Sequence, residues 1–258
     1  MGPKGSVELA GPDDEIGVLL DIGALDVRER VAQPGAQAIV LTEDENTRGL
    51  ESLLESSGFP KVATVILPYY GITSIKQLRP LLRMITASNP TAKVILHRDR
   101  DYLTDAEANE WSTNLRNLGV EPFVTTGTDV ESHFLQAKHL AALNTGVSEA
   151  DFERLLAAAV AAIRDASIQH IVNGRIDIER ARGTQAAINH GKLAVESQKQ
   201  YDASPRRLSH GKTLLKRLRS DLQSEFGRTL RDIIPSENIA VPALQTFAKK
   251  AFKVNRVP

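Results

Sequence analysis

Glu43, Asp99, Asp101 and Glu131 each stand at or just beyond the end of a stretch that reads as a β-strand. Glu43 closes the apolar run AIVLT, and Asp99 and Asp101 form an Asp-x-Asp just after KVILH. Glu131 opens the segment that follows Val120–Thr126. Carboxylates grouped in this way suit a hard divalent cation. Mg²⁺ takes oxygen ligands, commonly one or two carboxylates with water and phosphate oxygens completing the shell. An Asp-x-Asp on a loop can direct both carboxylates at one ion, and Glu43 with nearby acids can hold a second. Two ions roughly 4 Å apart would clamp the attacking and leaving oxygens of a phosphodiester. Without a cation the same carboxylates repel and raise one another's pKa.

The elements needed to bring these acids together are legible in the first half of the chain. Ala38–Thr42, Val62–Leu67, Lys93–His97 and Val120–Thr126 are short apolar runs of the buried-strand type. Helical segments alternate with them. One starts at Asn46 or Thr47, carries Leu50, Leu53 and Leu54, and ends near Gly58. A second spans Ser74–Ser88, with Ile75, Leu78, Leu82 and Ile85 on one face and Pro80 marking a kink or a later start. A third opens on the capping box Thr104-Asp105-Ala106-Glu107 and stops before Gly119, and Thr128 or Asp129 caps a fourth. Alternation of this kind predicts an α/β domain with a mainly parallel sheet of about four strands. Ligands of such sheets bind beyond the carboxyl ends of the strands, which is where the four acids fall.

Residues 1–35 read as a lead-in with one possible strand at Gly17–Asp21, and from Ser148 onward the chain reads as helical. The predicted helices are Ser148–Ile171, a long polar Asp177–Lys199, an amphipathic Leu208–Phe226 and a short Val241–Phe252. The division is therefore 1–35, 36–140 and a helical region over 145–258.

Composition sets the outer bounds. Of 258 residues, 41% are hydrophobic and 25% charged, an ordinary balance for a soluble globular chain. No run approaches the roughly 20 apolar residues that span a bilayer, and the first residues lack the apolar core of a signal peptide. With no cysteine, disulfides, thiolate metal sites and a cysteine nucleophile are excluded. A cytoplasmic protein with no membrane partner is expected. The 32 basic and 32 acidic residues cancel, so nucleic acid would be bound through local patches rather than bulk charge. The strip RRLSHGKTLLKRLR (206–219) is rich in Lys and Arg, has no acid, and can neutralise phosphates.

Three ordered elements carry a resemblance to a known family. AIVLTEDENTRGLESLLESSG resembles the first TOPRIM motif, with Glu43 on the family's Glu. VILHRDRDYLTDAE resembles the second, with Asp99 and Asp101 on its Asp-x-Asp. GTDVESHFL looks like the acidic element that follows in OLD-family nucleases, with Glu131 on its Glu. The resemblance covers roughly residues 36–140. Two positions depart from it: Asp44 stands where many members have Gly, and Thr47 where the turn often closes with Asp. It implies a TOPRIM-like Rossmannoid fold and a Mg²⁺- or Mn²⁺-dependent endonuclease. Its metal ligands would be Glu43, Asp99, Asp101 and Glu131, with DNA as the expected substrate. OLD-family nucleases carry this domain behind an ABC-type ATPase and often act in defence against phage, so an ATPase domain or subunit is an expected partner, and a homo-oligomer is compatible. HGKTLLKRL looks like the Gly-Lys helix start found downstream in such proteins, which implies Lys212 as the residue that stabilises charge on phosphate.

Several residues weigh against or beside that reading. Gly211-Lys212-Thr213 is no phosphate loop, because Arg206 stands where the motif needs its first Gly and no strand precedes it. Arg98, Arg100 and Lys216 are further candidate phosphate contacts. Asp44, Glu45, Asp105, Glu107 and Asp129 read as helix-start acids that favour the macrodipole and nothing more. His97 and His133 read as packed histidines, and His170, His190 and His210 show no metal spacing. Tyr69 and Tyr70 can line the cleft or simply make a turn, and Trp111 reads as packing. Two other classes stay open: a non-catalytic module that docks an ATPase, and a primase-like nucleotidyl transferase.

Overall fold

A computed structural model describes residues 24–69, 75–184 and 188–252. Four parallel strands form one sheet in the order β2-β1-β3-β4: β1 (Ala38–Thr42), β2 (Thr64–Pro68), β3 (Lys93–Arg98) and β4 (Glu121–Val124). The two central strands are β1 and β3, registered Ala38 to Lys93 through Leu41 to Leu96. Every residue of β1 is buried, whereas the edge strand β2 alternates. A central strand covered on both faces has no solvent side, so AIVLT shows no polar alternation.

Helices lie on both faces. On one, Ile39, Leu41 and Leu96 pack with Val31 of α1 (Ala24–Val31), with Leu78, Leu81 and Ile85 of α3 (Ile75–Ser88) and with Leu115 of α4 (Asp105–Arg116). On the other, Ala38, Val40, Ile95 and Phe123 meet Leu50, Leu53 and Leu54 of α2 (Arg48–Ser56). The helix α3 runs through Pro80. Thr104 and Glu107 form the expected capping box at the start of α4, but Thr47 makes no side-chain cap for α2. The suggested strand at 17–21 and Tyr70 lie outside the described residues.

A third core is built by helices alone. Leu140 of α5 (Ala137–Leu143) and Phe152, Leu155, Leu156 and Ala159 of α6 (Glu149–Ala162) pack with Leu214, Leu215, Leu218 and Leu222 of α10 (Gly211–Phe226). Beyond Ala159 the buried stripe of α6 ends, and the chain turns by 60° at Ile163 into α7 (Arg164–Ala181). The expected helix Ser148–Ile171 is therefore two helices. The expected Asp177–Lys199 helix is also divided: Gly183, at φ +74°, ends α7 in the left-handed conformation that glycine adopts without steric cost. The side chain of Asn189 then caps α8 (His190–Ala203) by accepting from the Lys192 amide at 2.9 Å. A one-turn helix, α9 (Pro205–Leu208), leads into α10. No single helix among the described residues is long and apolar enough to cross a membrane.

Two segments cross the boundaries read from the sequence. α1 falls inside the supposed lead-in, yet Val31 is fully buried against the sheet. The last helix, α11 (Pro242–Ala251), returns with the turn Glu237–Ile239 to the α2 face, where Ile239, Leu244 and Ala248 join its core. That face has apolar area that α2 alone does not cover.

Glu107 does more than favour the dipole at the start of α4. Its carboxylate bonds Arg175 at 2.6 Å and lies 2.7 Å from Arg182, while also capping Thr104. Burial works to raise its pKa, but the Arg175 and Thr104 bonds outweigh it and hold the group at about 2. A carboxyl held below its unfolded value of 4.5 contributes stability that is complete above that value and disappears as pH falls toward 2. Urea midpoints of the wild type should fall across that window by an amount worth on the order of 2–3 kcal/mol, and Glu107→Gln should lose most of the dependence.

Candidate functional site

The carboxyl ends of β1, β3 and β4 open on one side of the sheet, and the acids collect there. Asp99 forms the floor and is 8% exposed, while Glu43 and Asp101 stand exposed at the rim. One carboxylate oxygen of Glu43 accepts from the Asp99 amide at 2.9 Å, which joins the ends of the two central strands. Asp101 has φ +48°, the one positive value among the described non-glycine residues. Its amide donates to the Thr128 carbonyl at 2.7 Å, and the Arg100 amide donates to Thr125 Oγ1 at 2.8 Å, so the Asp-x-Asp loop is strapped to the loop after β4.

That second loop is organised by Asp129, the N-cap of the short 3₁₀ turn Val130–Phe134 that carries Glu131. Asp129 Oδ1 accepts from the Ser132 amide at 3.0 Å, the Ser132 hydroxyl at 2.7 Å and the Gly211 amide at 3.1 Å. Oδ2 accepts from the Lys212 amide at 3.0 Å. One buried carboxylate thus caps two elements 82 residues apart in sequence. It brings the N-terminus of α10, and with it Lys212, to the acid cluster. Lys212 Nζ lies 3.7 Å from Asp44 and 3.9 Å from Glu131. The close seat depends on glycine: a Cβ at position 211 would stand 2.1 Å from Asp129 Oδ1 and 2.5 Å from the Ser132 nitrogen. Gly211→Ala is expected to cost about 2 kcal/mol, in the range of overpacked cores, and a lowered urea midpoint would register it.

The charges are strongly coupled. Burial, then Asp44, Asp129 and Glu43, push the Asp99 carboxyl up to about 8, against the pull of Lys212. Burial raises Glu131 to about 7 against the pull of Lys212, with smaller repulsion from Asp129 and Asp99. Asp101 is raised to about 6 by burial and by Asp99, although its exposure lets solvent temper the effect. Glu43 is raised by burial and Asp101, with the Asp99 amide and Arg98 in opposition. Burial lowers the Lys212 ammonium, but Glu131, Asp44, Asp99 and Asp129 outweigh it and the net shift is upward. Beneath the cluster, burial lowers His97 to about 4 and keeps it neutral at pH 7. Its Nδ1 is 2.9 Å from Thr42 Oγ1, and its Nε2 is 3.5 Å from Asp99 Oδ1 with no hydrogen bond.

The fit to a cation is chemical rather than preassembled. Asp99 Oδ1 and Glu131 Oε2 are buried acceptors without a hydrogen bond. The Glu131 oxygen has the Lys212 ammonium at 3.9 Å, and Asp99 has no cation so close among the described residues. A buried carboxylate oxygen left unbonded costs free energy. Yet among the described residues no three His, Cys, Asp or Glu groups converge closely enough to enclose an ion as they stand. Glu43 is tied to the Asp99 amide. Glu43, Asp99, Asp101 and Glu131 are oxygen donors of the kind Mg²⁺ or Mn²⁺ takes, and they would need local movement to enclose one.

The other candidates divide. Arg98 lies over the Trp111 ring at 5.8 Å with its Nε buried and without a hydrogen-bond partner, whereas Arg100 pairs with Asp105, which ties up that guanidinium. Arg206 pairs with Glu153, Arg207 with Asp105, Arg217 with Asp221 and Arg219 with Asp232, so most of the basic strip is internally compensated. Lys216, one turn beyond Lys212, is exposed. Tyr69 is buried, its hydroxyl 3.4 Å from the His97 carbonyl. His133 accepts from the Thr126 amide at 3.4 Å and is lowered by burial to about 4. His210 is the N-cap residue of α10, 3.5 Å from Asp129.

Asp44 and Asp129, whose local sequence marks them as plain helix-start acids, both belong to the site. Asp44 has a signal in its place directly after Glu43. The Asp129–Ser132 spacing announces a cap, but nothing local announces that the same carboxylate receives the amides of Gly211 and Lys212. Comparison with protein-family models, with curated proteins and with solved structures gave no match.

Proposed function

We propose that this protein is a divalent-cation-dependent nuclease that hydrolyses phosphodiester bonds in DNA, as the TOPRIM-type, OLD-family resemblance implies. One observation carries the reading. Acids from the carboxyl ends of the two central strands meet Glu131 and Lys212 around buried carboxylate oxygens that no protein donor satisfies. When bound, Mg²⁺ or Mn²⁺ would neutralise the phosphate and make a water a competent nucleophile at neutral pH. Asp99 supplies the innermost ligand, with Glu43 and Asp101 at the rim and Glu131 from the β4 side. Lys212, half-exposed among these acids, is placed to pair with a non-bridging phosphate oxygen. His97 stays neutral and backs Asp99 without competing for its charge. An ABC-type ATPase domain or subunit, and a role in phage defence, belong to the same proposal through the resemblance.

A second reading has its own observation. Lys212 lies near both Asp44 and Glu131, and among the described residues no three ligands converge. A lysine can stand in for a cation in a module that only docks a partner. Cleavage of plasmid, linear DNA and RNA in Mg²⁺, Mn²⁺ and EDTA separates the two. Nicking of DNA that needs the metal and disappears in Asp99→Ala supports the nuclease. Nicking that persists in the mutant sinks it, and no cleavage or metal-induced stabilisation in the wild type favours the docking module.

A further inference from the structure

The hairpin of α7 and α8 is attached to the rest of the protein in an unusual way. Over 18 residues α7 buries only Ser167 and Ile171, and α8 buries only Ser197 and Tyr201. Tyr201, fully buried with its hydroxyl on the Val160 carbonyl at 3.1 Å and 3.0 Å from Ser209 Oγ, anchors α8 to α6 and to the start of α10. The polar contacts of α7 fall on the segment that follows Asp101. Arg175 donates to the Tyr102 carbonyl at 3.4 Å and to Glu107 at 2.6 Å. Gly174, in mid-helix, lies against the Tyr102 ring: a Cβ there would stand 2.2 Å from Cδ2, 3.0 Å from Cε2 and 3.2 Å from Cγ. A glycine in a helix interior is unfavourable by propensity, so its use here marks a close approach. Tyr102 directly follows Asp101, whose backbone is left-handed, a conformation that Asp tolerates better than most residues with a side chain. The Thr128 carbonyl holds this loop on the β4 side, and α7 holds it on the other.

We infer that α7 is a positioning element for the candidate site, and that Gly174 and Arg175, acting through Tyr102, set where Asp101 stands. For its functional meaning the inference rests on the metal-dependent reading; the mechanical coupling does not. The hairpin and the carboxylate loop then move together, and displacement of one shifts the other.

Gly174→Ala tests this, because alanine favours the helix while its methyl group displaces the Tyr102 ring. Gly191→Ala is the control on the same hairpin, where a Cβ would meet only Asn189 Oδ1 at an ordinary 3.6 Å. Two measurements are made on the full chain: amide hydrogen exchange across residues 99–103, and Mn²⁺ affinity by electron paramagnetic resonance. Gly174→Ala is expected to speed exchange in that segment about tenfold and to weaken Mn²⁺ binding about tenfold, with exchange in β1 unchanged and Gly191→Ala matching the wild type. Arg175→Lys, which keeps the charge beside Glu107 and loses the planar fork, should shift both in the same direction. Unchanged exchange in residues 99–103 in both variants overturns the inference, as does the same change in Gly191→Ala. If the wild type takes up no Mn²⁺, the metal reading falls, and the exchange data still decide the coupling.

Discussion

Asp99→Asn is expected to raise the melting temperature of the metal-free protein while abolishing its Mg²⁺-induced stabilisation and its DNA cleavage. Asp99 is buried among Asp44, Asp129 and Glu43, and its carboxyl is pushed from 3.8 to about 8. In the unfolded chain the group ionises near 3.8, so between that value and about 8 the unfolded state holds fewer protons than the folded one. Stability contributed by this group therefore falls as pH rises through the window. At pH 7 the penalty amounts to several kcal/mol, on the order given by about 1.4 kcal/mol for each unit of displacement. Asparagine has the same shape and no charge. Removing the penalty should raise the melting temperature by roughly 5 °C or more, at about 2–4 °C per kcal/mol for a chain of this size. The same change deletes the innermost cation ligand, and cleavage should fall by at least about a hundredfold. Differential scanning calorimetry at pH 5 and pH 8, with and without Mg²⁺, reads the first half; a nicking assay reads the second. A variant less stable than the wild type at pH 8 in EDTA would mean that the Asp99 carboxylate is not a source of repulsion in the folded protein.

Asp129→Ala is expected to be the most destabilising single substitution at this end of the sheet. Its carboxylate receives the amides of Ser132, Gly211 and Lys212 and the Ser132 hydroxyl, at 2.7 to 3.1 Å. Alanine leaves three amides at the starts of two elements without an acceptor. Each buried donor so abandoned costs about 1–3 kcal/mol, and the three together should lower stability by about 4 kcal/mol, since some of them relax toward water. Asp129→Asn should cost less: one oxygen still accepts, while the amide nitrogen presents a donor to a backbone amide. Urea denaturation gives both figures. Because the same bonds seat Lys212, hydrogen exchange at the start of α10 should rise in both variants before global unfolding. A loss under about 1 kcal/mol in Asp129→Ala, less than one abandoned donor, would mean that water replaces the carboxylate and that the cap does not hold α10 at the site.

The two substitutions draw on different amounts of sequence information. Glu43, Asp99 and Asp101 are legible because each follows an apolar run, and a parallel sheet collects strand ends on one side. Lys212 stands out within its basic strip, but its reach is not legible, since no local pattern relates residue 212 to residue 129. Asp44 and Asp129 pass for ordinary helix-start acids for the same reason: a local rule accounts for each, and the contacts that give them a further role lie tens of residues away. The break at Ile163 is equally hidden: helical periodicity persists across it, and the bend follows from where the core ends. The break after α7 has local signals, Gly183 that closes one helix and Asn189 that caps the next, which the reading of a single helix passes over.

The sequence by itself determined the α/β class, the parallel strands and the end of the sheet at which the acids gather, because strand burial and strand direction follow from short-range patterning. Only the tertiary structure decided that α1 and α11 complete the two faces of the sheet and that α10 delivers Lys212 through Asp129. The same holds for the α7–α8 hairpin leaning on the Asp101 loop. Those outcomes depend on apolar area left uncovered and on amides left unpaired by other parts of the chain. Such quantities exist only once the elements have packed.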